Sequence, residues 1–281
     1  MSESNHEQTY ADMVRERGPL DPFQVVRFEA VDRIATVTLN DPDHLNSYTI
    51  RMTGELREAL RRAEDAADVR VVILTGAGKA FSAGGDLRGM RDSDSTPLER
   101  HEFIRHEFGG LIKQIVAMDK PVIAAINGYA MGVGLFTALS CDMIIASDQA
   151  KFGTAYIHLG LTPLGVSYLL AKILGYCRAY ELCALGDVFD ARRAEALGVV
   201  NCVVPHERLL DETRKIAGRL ADGPPRGLGF IKQLLRRAVH PDLEEHQLLG
   251  EAVQPLCLAS VDDREALAAF AEKRKPLFVG R

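Results

Sequence analysis

The stretch "VRVVILTGAGKAFSAGGDL" at residues 69–87 decides the fold class. Val71 to Leu74 form a short, continuous apolar run closed by Gly76, which predicts a strand buried on both faces. Behind it comes a loop of small residues, where glycine permits unusual backbone angles and close approach. A second stretch, "PVIAAINGYAMGVGLFTAL" at 121–139, has the same form: apolar run, glycine-rich turn, apolar continuation. It is uncharged and long enough to suggest a membrane span. Pro121, Asn127, Gly128, Gly132 and Gly134 interrupt it, however, and a buried strand feeding a buried helix explains it better. Strand and helix units of this kind make an α/β protein.

On the N-terminal side, "QVVRFEA" and "RIATVTL" are β-rich runs separated by Val31-Asp32, which predicts a hairpin. "SYTIRMTGELREALRRAEDAAD" then places Met52, Leu56, Leu60 and Ala63 at helical spacing, with charges on the opposite face. On the C-terminal side, residues 97–118 predict a helix, "DMIIAS" and "VVNCVV" predict strands, and the chain after Pro205 is almost wholly helical. Three regions are expected: a flexible polar tail over 1–22, a core over 23–222, and a helical region over 223–281 after Gly223-Pro224-Pro225. The last is too small and amphipathic to bury its own faces, and is expected to pack on the core or on a neighbouring subunit.

Composition excludes several classes of function. The 281 residues are 47% hydrophobic and 26% charged, an ordinary globular balance. A net charge of −5 with interspersed signs offers no broad positive field for nucleic acid. Cys141, Cys177, Cys183, Cys202 and Cys257 are odd in number and lack a C-x-x-C pair, so neither a disulfide framework nor a zinc site is expected. The histidines show no metal-ligand spacing, so no metal is predicted. With no apolar h-region at the N-terminus, a reducing cytoplasm is the expected location.

The chemistry belongs to the two glycine loops, "FSAGGD" at 81–86 and "NGYAMGVG" at 127–134. Each follows a buried strand and leads into helix, whose first N–H groups are unpaired and carry the positive end of the dipole. Two such amides aimed at one point would polarise a carbonyl and stabilise an enolate or a tetrahedral oxyanion. Purely structural turns meet the same description. Phosphate cradles do not: neither loop completes G-x-x-x-x-G-K-[ST] or G-x-G-x-x-G. No G-x-S-x-G elbow is present.

Six collinear segments carry a resemblance: "IATVTLNDPDHLNS", "VVILTGAGKAFSAGGDL", "PVIAAINGYAMGVGL", "CDMIIASDQAKFGTAYIHLGLTP", "LLAKILGYCRAYELCALGDVFDARRAEALGVVNCVV" and "FAEKRKPLF". From about Val25 to Phe278 the chain resembles the enoyl-CoA hydratase/isomerase (crotonase) superfamily. The resemblance implies a ClpP-like β-β-α spiral core, a C-terminal helical trimerisation region, and a homotrimer or dimer of trimers. It also implies an acyl-CoA thioester as ligand, with coenzyme A as part of the substrate and no separate cofactor. Two backbone N–H groups hold the thioester enolate, and matching motifs place them at Ala83 and Val133. The same matching assigns substrate contacts to His44 and Ser47, Lys79, Asp86 and Leu87, and Lys273 for the phosphates.

Departures from the family pattern are concentrated at its acids. The positions of the two hydratase glutamates hold Phe136 and Tyr156, and the carboxylate that other branches place after "G-L-x-P" is replaced by Leu164. Water addition needs a base and an acid, and Phe136 supplies neither. Tyr156 is the one polar heir, a poor base at its ordinary pKa of about 10, and is otherwise an aromatic wall of the pocket. If "AYIHL" is extended, His158 shares its side and is a further candidate for proton transfer. Very low hydratase activity is expected. An atypical isomerase, lyase or decarboxylase, a non-catalytic acyl-CoA carrier or sensor, and a β-diketone hydrolase remain as readings.

Overall fold

The computed structural model describes residues 20–86, 96–239, 242, 245, 247–248, 251–252 and 258–277. Most of the tail expected over 1–22, together with Leu87, Cys257 and Phe278, lies outside the described residues. Strands β1 (Val26–Val31) and β2 (Ile34–Leu39) form the hairpin. Its turn is Asp32-Arg33, one residue later than the sequence suggested, with φ of 52° and 67°. Positive φ at both positions matches the right-handed strand twist in a two-residue turn. The amphipathic helix runs over Ile50–Asp65, and the Thr49 side chain accepts the Met52 amide at 3.1 Å to cap it.

From β3 (Val71–Gly76) onward the chain winds as a spiral. A long strand is followed by a short one and then by a helix: β3 then β4 (Ala80–Ser82), β5 (Val122–Ile126) then β6 (Tyr129–Met131), β7 (Met143–Ser147) then β8 (Lys151–Gly153). The long strands join the hairpin and β10 (Cys202–Val204) in a six-stranded sheet of order β1-β2-β3-β5-β7-β10. The short ones make a four-stranded sheet, β4-β6-β8-β9, with β9 at Phe189–Asp190. This is the β-β-α spiral that the resemblance implies. The second sheet was not legible in sequence, because its strands are two or three residues long and lie inside segments that read as turns.

Burial on both faces explains the apolar runs. Val72 and Leu74 of β3 point into the main core, while Val71 and Ile73 meet Leu209, Ala217 and Ala221 of the helix Leu209–Ala221. The predicted helix over 97–118 is present as Pro97–Phe103 and Gly110–Ala117, joined through a π-helical turn at Ile104–Gly109. A β-carbon on Gly109 would stand 2.5 Å from the Glu251 carboxylate, so this turn receives a side chain of the C-terminal region.

Helix Pro225–Val239 follows the Gly223-Pro224-Pro225 break and packs on the core. Lys232 pairs with Asp142 at 2.9 Å, and Arg236 pairs with the same carboxylate at 3.2 Å. Asp142 also accepts the Val122 amide at 2.8 Å, so it fastens the C-terminal helix to β5. No helix among the described residues is long and apolar enough to cross a membrane.

Candidate active site

The two glycine loops meet. A β-carbon on Gly134 would lie 2.7 Å from the Ser82 carbonyl oxygen and 2.9 Å from its β-carbon, so only glycine lets the second loop rest on the first. Gly84 makes the reciprocal approach with φ of 98°, its β-carbon direction running into the Met131 carbonyl. Tyr48 ties the pair from below, donating from its hydroxyl to Thr137 Oγ1 at 2.9 Å on the helix Val133–Ser140. Burial pushes the Tyr48 phenol well above its ordinary pKa, so it remains a donor.

The hydrogen bonds of the first loop correct one expectation. The Ala83 amide donates to the Leu45 carbonyl at 2.9 Å, which removes it as a donor to a ligand. The Gly84 amide is taken by Ser82 Oγ at 3.1 Å. Tyr48 then donates to the Gly84 carbonyl at 2.8 Å and accepts from Asp86 at 3.4 Å, bridging Gly85 in parallel. In such a bridge the intervening residue turns its own N–H to the other side. No acceptor among the described residues meets the Gly85 amide. The same holds for Val133, the first residue of its helix, whose N-cap Gly132 offers no side chain. Among the described residues, Gly85 on the first loop and Val133 at the start of the second loop's helix are thus both open amides. Sequence reasoning missed Gly85 because adjacent glycines do not show which amide the loop consumes.

Tyr156 stands beside the second loop. Its ring carbon and hydroxyl lie 3.7 and 3.8 Å from the β-carbon position of Gly132. It is 6% exposed, and among the described residues its hydroxyl has no hydrogen-bond partner. Burial, with a smaller push from the Cys183 thiol, raises the phenol far above its ordinary range. Tyr156 is thus a neutral donor, not a base. "AYIHL" is not extended: Tyr156–Leu159 is a 3₁₀ turn with three residues per turn, which sends Tyr156 and His158 in different directions. His158 is exposed and its Nε2 lies 3.2 Å from the Gly186 carbonyl, which corrects the expectation that it shares the side of Tyr156.

Phe136 and Leu164 are buried and belong to the main core. The Phe136 ring covers Gly165 at the start of the helix Leu164–Leu174. His44 is exposed with Nδ1 held by Asp41 at 2.9 Å, and Ser47 Oγ donates to the His44 carbonyl at 2.7 Å, so both organise their own turn. Lys79 is exposed between β3 and β4, and Asp86 is half-buried. Lys273 is exposed just beyond the helix Val261–Ala271, which packs on the Tyr156 turn.

The chain is similar to known proteins along most of its length. The family model described as enoyl-CoA hydratase/isomerase matches residues 29–281. A 1,2-epoxyphenylacetyl-CoA isomerase of Escherichia coli K12 is 37% identical over 88% of this chain and 95% of its own length. A crotonyl-CoA hydratase of Syntrophomonas wolfei is 33% identical over 92% and 99%. The crystal structure of an enoyl-CoA hydratase from Mycobacterium avium subsp. paratuberculosis K-10 superposes with a TM-score of 0.83 at 31% identity, covering 92% of this chain and all of that one. The spiral of paired strands, the two touching glycine loops and these matches lead to one assignment: the chain belongs to the enoyl-CoA hydratase/isomerase family.

Proposed function

We propose that this protein binds an acyl-CoA thioester and stabilises its enolate with the backbone amides of Gly85 and Val133. The observation that carries this reading is a pair of amides, unengaged among the described residues, on two loops held in contact by Gly84 and Gly134. A preorganised donor of this kind contributes about 3 to 4 kcal/mol in the transition state. Phe136, Tyr156 and Leu164 leave the site without the acids that hydration requires, so the reaction is an isomerisation, or a decarboxylation in which substrate groups help move the proton. Similarity to an epoxyphenylacetyl-CoA isomerase supports the isomerase side. Lys79 and Lys273, both exposed, suit the phosphates of coenzyme A, with His44, Ser47 and Asp86 along the same ligand.

A homotrimer or dimer of trimers accompanies this reading. Phe230, Ile231, Leu234 and Leu235 on the helix Pro225–Val239 are each more than half exposed, an apolar stripe that a neighbouring copy would cover. The cytoplasm is the proposed location, supported by the free thiols of Cys141, Cys177, Cys183 and Cys202.

Titration calorimetry with butyryl-CoA and crotonyl-CoA, followed by the loss of enoyl absorbance, tests the function. Binding with very slow hydration is expected. Absence of heat with any thioester overturns the binding claim, and rapid hydration overturns the account of the missing acids. Binding with no turnover on any thioester supports a carrier instead of an enzyme.

A further inference from the structure

The turn between β3 and β4 is held from inside the protein by two side-chain amides. Gly78 and Lys79 at its tip are exposed, yet every carbonyl from Ala77 to Ala80 has a protein donor. Asn46, fully buried, donates from Nδ2 to the Ala77 carbonyl at 3.0 Å and to the Ala80 carbonyl at 2.8 Å. Asn127, 9% exposed, donates from Nδ2 to the Gly78 carbonyl at 3.0 Å and to the same Ala80 carbonyl at 3.1 Å. The Lys79 carbonyl accepts the Tyr129 amide at 3.4 Å, and a β-carbon on Gly128 would stand 2.0 Å from it. A side-chain amide nitrogen carries two hydrogens, so both donors are fully used. Both acceptor oxygens are used as well: Asn46 Oδ1 takes the Asp41 amide at 2.8 Å, and Asn127 Oδ1 takes the Gly76 amide at 3.3 Å. An exposed turn is ordinarily left to water and moves with it. This one is fastened carbonyl by carbonyl.

The clamp joins segments that are distant in sequence. Asn46 belongs to the turn at 44–47, where Asp41 holds His44 at 2.9 Å, and Asn127 opens the second glycine loop. Lys79 stands on the turn that both of them grip. Resting on the thioester reading above, in which Lys79 meets the phosphates of coenzyme A, we infer that Asn46 and Asn127 are positioning residues for Lys79. They preset the backbone of its turn, so that the ammonium group is offered to the phosphates before the ligand arrives. A lysine carries a compact charge on a flexible stem, and its hold on an anion depends on where its α-carbon is fixed. Fixing that point in the free protein removes part of the ordering that binding otherwise requires. Neither asparagine touches the ligand, and their effect reaches it through Lys79.

The test titrates butyryl-CoA calorimetrically into the full chain, into Lys79→Ala, Asn46→Ala and Asn127→Ala, and into each asparagine variant combined with Lys79→Ala. Lys79→Ala is expected to weaken binding about fivefold, the size of one partly solvated ion pair. Each asparagine variant is expected to weaken it by a similar factor, and each double variant by little more than either single one. An asparagine with a purely structural role lowers the melting temperature but leaves the Lys79 contribution intact, so losses that multiply in the double variants overturn the inference. An affinity that Lys79→Ala leaves unchanged overturns it too, and in both cases the thioester reading stands. Hydrogen exchange over residues 76–82 of the unsubstituted protein gives a second measure that needs no folded variant. Slow exchange is expected already in the free protein, and rapid exchange that slows only with butyryl-CoA overturns the inference. No heat with butyryl-CoA overturns the thioester reading, and the inference falls with it.

Discussion

A β-carbon on Gly84 would stand 2.9 Å from the Met131 carbonyl oxygen, so the two glycine loops touch at a point where neither backbone has room to yield. Contact at this point sets the distance between the Gly85 and Val133 amides. Gly84→Ala meets both the clash and a φ of 98°. It is expected to cost about 1 to 3 kcal/mol, lowering the melting temperature by several degrees. It should also weaken thioester binding at least tenfold by separating the amides. Unchanged calorimetric affinity would contradict the role given to this contact.

Phe136 and Gly165 form the second tight pair. A β-carbon on Gly165 would lie 2.2 Å from the tip of the Phe136 ring, which is 2% exposed. Gly165→Ala should destabilise by about 1 to 3 kcal/mol through overpacking. Adding Phe136→Leu should recover part of that loss, since the two sites share one space. Denaturant unfolding of the single and double variants measures the coupling, and strictly additive losses would refute it.

Glu55 gathers the chain entry. Its buried carboxylate accepts the amides of Gln24, Val25 and Val26 at 2.8, 2.8 and 3.1 Å, and pairs with Arg51 at 3.1 Å. Glu55→Ala leaves three amides without that acceptor and is expected to cost about 3 to 5 kcal/mol. Glu55→Gln keeps one acceptor oxygen and should cost less. Equal unfolding midpoints for the two variants would show that these amides find partners elsewhere.

Asp263 makes stability depend on pH. Its side chain is 1% exposed, and burial pushes the carboxyl up to about 6 against the opposing pull of Arg100 and Arg264. The folded-state value lies above the unfolded one of about 3.9, so the fold favours the protonated form. Below about pH 4 the group is neutral in both states and exacts no penalty. As pH rises through 4 to 6 the cost of the buried charge appears, reaching about 3 kcal/mol. Asp263→Asn should flatten that decline and raise the melting temperature more at pH 7 than at pH 4. An equal gain at both values would show that the charge is not responsible.

Much of the fold was legible because the long strands are buried on both faces and read as unbroken apolar runs. The spacing of Met52, Leu56, Leu60 and Ala63 likewise marked the first helix. The short strands at Ala80–Ser82, Tyr129–Met131 and Lys151–Gly153 were not legible, since three residues carry no periodicity and their pairing is wholly long-range. The same limit applied to "AYIHL", where a 3₁₀ turn replaced the strand and separated His158 from Tyr156.

By itself the sequence determined the family, and with it the expectations that the site lies at two glycine loops and that Phe136, Tyr156 and Leu164 stand where acids were expected. These are matters of residue identity and order along the chain. Only the tertiary structure decided which amides stay open, because Leu45 and Tyr48, distant in sequence from Val133, consume the hydrogen-bonding groups on either side of Gly85. It also decided that Tyr156 is a neutral donor, unpaired among the described residues. A hydroxyl's partners and its desolvation are set by what folds around it, and no local pattern encodes them.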